Sequence, residues 1–89
     1  VNAGNSITSG GNYNVVVGDE AGTAITTGDQ NVAIGYGALD ADTLGSRSVA
    51  VGAVTLTSQN FTSATNAYNV GVGYFAGAGI TTGIHITWQ

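Results

Sequence analysis

At 89 residues the chain has room for one domain, and Arg47 is its only basic residue against five acidic ones, for a formal net charge of −4; such a surface has little with which to hold phosphates, which argues against nucleic acid and against docking on anionic lipid. Only 7% of residues are charged but 43% are apolar, the composition of a chain that folds rather than a disordered one. The absence of Pro, Cys and Met beside 15 Gly and many Thr, Asn, Ala and Val favours strands and tight turns over helix, and excludes disulfides and thiolate metal sites.

In chain order, the first structured unit expected is Asn14-Val15-Val16-Val17-Gly18. It recurs as Asn31-Val32-Ala33-Ile34-Gly35, as Ser48-Val49-Ala50-Val51-Gly52 and as Asn69-Val70-Gly71-Val72-Gly73. The motif glycines Gly18, Gly35 and Gly52 are 17 residues apart, and Gly73 follows 21 later, which is one repeat with an insertion of four inside 57–67. A second landmark keeps the same frame: Ile7-Thr8-Ser9-Gly10, Ile25-Thr26-Thr27-Gly28, Thr43-Leu44-Gly45 and Ile80-Thr81-Thr82-Gly83. Repetition at a fixed period is the signature of a solenoid. The predicted fold is therefore an all-β parallel β-solenoid or β-roll of 17-residue coils, a single module over 1–89. Its coils run approximately 11–27, 28–44, 45–65 (with the insertion 57–67) and 66–82. After Gly83 the sequence Ile84-His85-Ile86-Thr87-Trp88-Gln89 reverses the apolar phase, so 83–89 is expected to be an exit strand where the roll ends or hands over. The opening at Val1 rather than Met is expected of a piece of a longer chain, and no long apolar run or basic leader marks a membrane span or signal peptide.

Alternate residues of a strand face opposite sides. The larger side chains Val15, Val17, Val32, Ile34, Val49, Val51, Val70 and Val72 are accordingly assigned inward as the core ladder. Val16, Ala33, Ala50 and Gly71 are assigned outward, where a solvated strand would carry polar residues. A strand apolar on both faces is normally buried on both, so these four are expected to form a homo-oligomer interface; the plainer alternative is small residues on an exposed flat face. The motif glycines are expected to adopt positive φ or admit a close chain approach, and Asn14, Asn31 and Asn69 to stack as hydrogen-bonded ladders or shape turns.

The runs Asn31-Val-Ala-Ile-Gly35 and Ser48-Val-Ala-Val-Gly52 resemble the repeat of the head domain of trimeric autotransporter adhesins. Joined to Ile25-Thr26-Thr27-Gly28 they are also similar to repeats in bacteriophage tail fibres. The resemblance covers roughly residues 5–83 and implies a left-handed roll in which three chains pack side by side, although adhesin heads use a shorter coil than the one here. It implies a non-catalytic structural and adhesive module of a trimeric phage tail fibre or appendage, located on the virion or outside the cell. Its partners would be itself as a homotrimer, other fibre or virion proteins, and a host glycan or protein receptor. The alternatives are a bacterial trimeric surface adhesin and a self-assembling extracellular filament, since a solenoid's open ends can add strands.

Candidate chemistry is sparse. Asp19 and Glu20 are adjacent and would diverge if extended, and Asp40 and Asp42 suit a turn; neither pair is assigned as catalytic, and Asp40/Asp42 is not assigned as a calcium site. His85 has no second His or Cys to help bind zinc and no Ser or Asp at triad spacing. The Thr pairs Thr26-Thr27 and Thr81-Thr82 would face opposite ways, which does not suit a flat ice-binding rank. No cofactor and no enzymatic activity are expected. For receptor contact the candidates are the aromatic residues Tyr36, Tyr74 and Phe75 after the motif glycines, and Phe61 and Tyr68 around the insertion; packing between protomers is the competing role for these rings.

Overall fold

The computed structural model describes residues 1–89 as an all-β chain without helix, wound as a parallel β-solenoid of about four turns with coils of about 17 residues. Strands β1 (Val15–Val17), β2 (Val32–Ile34), β4 (Val49–Val51), β6 (Val70–Val72) and β7 (Thr87–Trp88) form one five-stranded sheet in the order β1-β2-β4-β6-β7. Strands β3 (Gly45–Ser46) and β5 (Thr65–Asn66) pair beside it. Every pairing is parallel, and like stands on like: Val15 on Val32, Val32 on Val49, Val49 on Val70. At a strand spacing of about 4.8 Å the five strands span roughly 19 Å along the axis.

The register locates the insertion. Gly45 pairs with Thr65 and Ser46 with Asn66, 20 residues on, whereas Val49 pairs with Val70, 21 on. Three of the added residues therefore fall between Asn60 and Thr65, and the fourth is Ala67, an extra, fully buried residue after β5. Strand β7 sits in register on β6, with Thr87 on Val70 and Trp88 on Gly71. The reversed phase of 83–89 therefore does not take the chain out of the roll: these residues open a fifth coil.

The faces of the sheet are opposite to the sequence assignment. Ala33 and Ala50 are fully buried, Gly71 is buried and Val16 packs against the core. Val15, Val17, Ile34 and Val72 are exposed, at 49%, 55%, 37% and 45%, while Val32, Val49, Val51 and Val70 are half-buried. The eight larger residues are not the core ladder, and Val16, Ala33, Ala50 and Gly71 are not an interface; they are the core.

The reason is room. The interior is already occupied from the corners by Ile7, Ile25, Leu39, Leu56 and Ile80. A Cβ added to Gly71 would stand 2.7 Å from Thr55 Cγ2 and 3.2 Å from Leu56 Cγ. One inward side chain per strand fits, small except for Val16, which lies against the glycine corners Gly4 and Gly22, and the two flanking β-branched neighbours turn out.

Two further columns explain how the interior closes. Gly4, Gly22, Leu39, Leu56 and Gly77 occupy equivalent corners, all with φ between 50° and 62°. Three residues after each stands Ile7, Ile25, Asp42, Gln59 or Ile80. Where the corner is Gly the partner is Ile, and where it is Leu the partner is polar, so volume is conserved from coil to coil. An added Cβ on Gly22 would lie 2.6 Å from Val16 Cγ1 and 3.0 Å from Ile25 Cδ1, so Val16 and Ile25 together fill the vacant corner. The motif glycines Gly18, Gly35, Gly52 and Gly73 have φ of 119°, 125°, 128° and 118°, and successive glycines touch through their backbones, as the sequence led one to expect.

Candidate interaction surfaces

The inner face of the sheet is completed by an asparagine ladder. Asn31 Oδ1 accepts the Ser48 N–H at 2.9 Å while its Nδ2 donates to the Gly45 carbonyl at 2.9 Å. Asn14 makes the equivalent bonds to Asn31 and Gly28, and Asn69 to Ile86 and Gly83. Each side chain thus satisfies two backbone groups of the coil above, where the corner leaves them without a strand partner.

The third coil has Ser48 in place of Asn, too short to repeat this. Here Gln59 links side chains instead: its Nε2 donates to Asp42 Oδ2 at 2.8 Å and Ser48 Oγ at 3.0 Å, and its Oε1 accepts from Asn69 Nδ2 at 2.8 Å. Asp42 Oδ1 accepts the N–H groups of Gly45 and Phe61. Asp42 and Gln59 are both fully buried, and no buried side-chain nitrogen or oxygen lacks a partner. The network anchors the coil that carries the insertion.

Four of the five acidic residues have partners within the roll. Asp42 is sealed in the interior as an acceptor for turn N–H groups, and Asp40 Oδ1 accepts the Thr57 hydroxyl at 2.8 Å, linking adjacent coils. Glu20 Oε2 accepts from Asn2 at 3.0 Å. Asp19 lies 3.8 Å from the N-terminal ammonium. No three His, Cys, Asp or Glu side chains converge. No helix is long and apolar enough to cross a membrane.

What the chain presents outward is a flat face. Val15, Val32, Val49 and Val70 form one column and Val17, Ile34, Val51 and Val72 a second, at equal heights on four strands. Aromatic residues flank it on the glycine side, where Tyr36, Tyr74 and Phe75 are 59%, 70% and 52% exposed and the rings of Tyr74 and Phe75 meet edge to face with centroids 4.4 Å apart. Phe61 is not among the exposed rings. It is 6% exposed, its N–H is held by Asp42, and its ring lies against Gly45, so the insertion turns its aromatic side chain inward to cover its own base.

The opposite edge carries a column that periodicity alone did not disclose. Tyr13, Gln30, Arg47, Tyr68 and His85 hold the same corner of five successive coils, each with φ between 53° and 62° and each exposed. Arg47 Nε donates to Gln30 Oε1 at 2.8 Å. The Arg47 guanidinium lies 5.9 Å from the Tyr68 ring centroid, and Tyr68 stacks on His85 at 4.9 Å and 23°. The signal was present in the sequence as the residue two before the first motif Val, but its side chains are so unlike one another that no repeat is visible there. At the last coil an open concavity of about 520 Å³ is lined by Tyr74, Phe75, Ile80 and Trp88 among others.

These features define the class: a parallel β-solenoid repeat protein with an in-register ladder and an unpartnered β-branched face. No family model matches the chain, and comparison with curated proteins and with solved structures likewise finds no match.

Proposed function

We propose that this chain is a non-catalytic structural and adhesive module of a trimeric bacteriophage tail fibre or comparable appendage. The resemblance of the Asn/Ser-Val-Ala-Val/Ile-Gly and Ile-Thr-Thr-Gly motifs supplies the kind of protein. The observation that carries the reading is the outward face of eight β-branched residues in two straight columns. A monomeric soluble protein rarely exposes a contiguous apolar surface of this kind, and side-by-side packing of copies would bury it along its whole length. A standard interface takes about 800 Å² from each partner, roughly a fifth of the 4260 Å² the chain exposes. The oligomer seam is thereby reassigned from the small residues to Val15, Val17, Val32, Ile34, Val49, Val51, Val70 and Val72. The work of such a module is to be stiff, and the backbone ladder along the axis supports this. Its single Arg and lack of Lys leave trypsin one site.

Sedimentation across a concentration series tests the reading. A discrete trimer is expected, and a monomer at tens of micromolar would sink it. The open concavity beside Trp88 favours one second reading, end-to-end stacking into a filament; growth without a limiting mass would select it.

A further inference from the structure

The column Tyr13, Gln30, Arg47, Tyr68 and His85 breaks a local rule five times. A left-handed backbone is costly for residues other than Gly, Asn and Asp, yet none of the three occurs here although all five φ values are 53° to 62°. Two other corner columns take the same conformation: one uses Gly4, Gly22 and Gly77 with the fully buried Leu39 and Leu56, and the other runs Glu20, Gly37, Val54 and Phe75, so left-handed corners are part of how this coil turns. In this column Tyr13 is 83% exposed, Tyr68 is 45% exposed, and Gln30, Arg47 and His85 are exposed as well. What sets this column apart from the other corners is that it has no glycine and is exposed in every coil.

The chemistry of the column is uniform although its residues differ. Each side chain ends in a planar group that carries hydrogen-bond donors: phenol, amide, guanidinium or imidazole. Arg47 lies 5.9 Å from the Tyr68 ring centroid and His85 stacks on the same ring at 4.9 Å and 23°, so three successive coils bring a guanidinium, a phenol and an imidazole together. At the other end the Tyr13 ring is open to solvent. Spaced by one strand interval, these groups make a straight rank of donors with an aromatic plate at its end. One positive charge on a chain of net charge −4 provides no field to hold a polyanion.

We infer that this column is a binding strip for an uncharged glycan lying along the solenoid axis, its hydroxyls accepting from the side-chain edges and a sugar face resting on Tyr13. This rests on the adhesive reading above and names the site and ligand class for it. The test uses the whole chain in its assembled state, with uncharged oligosaccharides of glucose, galactose, mannose and N-acetylglucosamine as probes in saturation-transfer NMR. Arg47→Gly and Tyr68→Gly are compared with the parent, and sedimentation and thermal midpoint are recorded on the same samples. At least one probe is expected to bind the parent and to lose tenfold or more in affinity in both variants, while the midpoint is unchanged or higher because glycine accepts the left-handed backbone freely. Absence of binding by all four probes, or binding unaltered by either substitution, would overturn the strip. So would a midpoint several degrees lower, which would make the column an internal clasp, or a fall in assembled mass, which would make it a seam between copies. A parent that sediments as a monomer refutes the fibre reading, whereas an intact trimer that binds no sugar refutes the strip alone.

Discussion

At the scale of single residues, the tight interior makes position within the Asn-Val-Ala-Val-Gly unit decide the effect of a change. Ala50→Ile adds three carbons where Ala50 is fully enclosed, and should cost about 1–3 kcal/mol of stability in chemical denaturation. One residue along, Val51→Asp places a charge on the outward face. It should leave the circular dichroism spectrum of the coil unchanged but shift the sedimenting species toward monomer; a variant that keeps the parent's mass would remove this face from the seam. Asn31→Ala strands the Ser48 N–H and the Gly45 carbonyl, both at buried residues, and is expected to cost about 2–4 kcal/mol. By the same logic Gln59 is no ordinary polar side chain of a loop, since its loss would leave Asp42 Oδ2 without a partner in the interior.

At the scale of the coil, the complementarity between each corner and the residue three positions later is a coupling that can be measured. Gly22→Ala should destabilise by about 1–3 kcal/mol, because the new Cβ would meet Val16 Cγ1 at 2.6 Å on a backbone with φ of 57°. Shortening the obstructing neighbour in the double variant Val16→Ala/Gly22→Ala should recover part of this, with an interaction energy of about 1 kcal/mol or more in a double-mutant cycle. Strict additivity would mean that the corner penalty is backbone strain alone. Leu39 and Leu56 show the opposite solution, a large side chain at the left-handed corner with Asp42 or Gln59 where the other coils have Ile.

At the scale of the whole molecule, stability should be graded along the axis, since each coil is supported by its neighbours and the end coils have one neighbour each. Strands β2 and β4 are paired on both sides, whereas β7 is paired only with β6. Amide hydrogen exchange should therefore be slowest at Ala33 and Ala50 and fastest among the strands at Trp88; uniform protection would point to a cooperative assembly that covers the ends. The molecule measures 31 × 26 × 17 Å, so the Val face occupies a large part of one side.

The amino-acid sequence by itself determined the period, the all-β parallel character, the four-residue insertion and the left-handed glycine column, because in a stacked coil each of these is a matter of spacing and like must lie on like. Phe61 and Tyr68 were visible as aromatics near the insertion, but that one turns in and the other joins a stack with Arg47 and His85 depended on residues from different coils. Only the tertiary structure decided which face of the strand is the core. In a three-residue strand that is apolar at every position both phases satisfy alternation, and side-chain size pointed the wrong way. The deciding quantity was the space left by Ile25, Leu39 and Leu56 reaching in from the corners, and it admits an alanine but not a pair of valines. The sequence did carry one faint sign of this: Asn31, Ala33 and Gly35 share a phase, and Asn31 bridges to the next coil from the buried side of the strand.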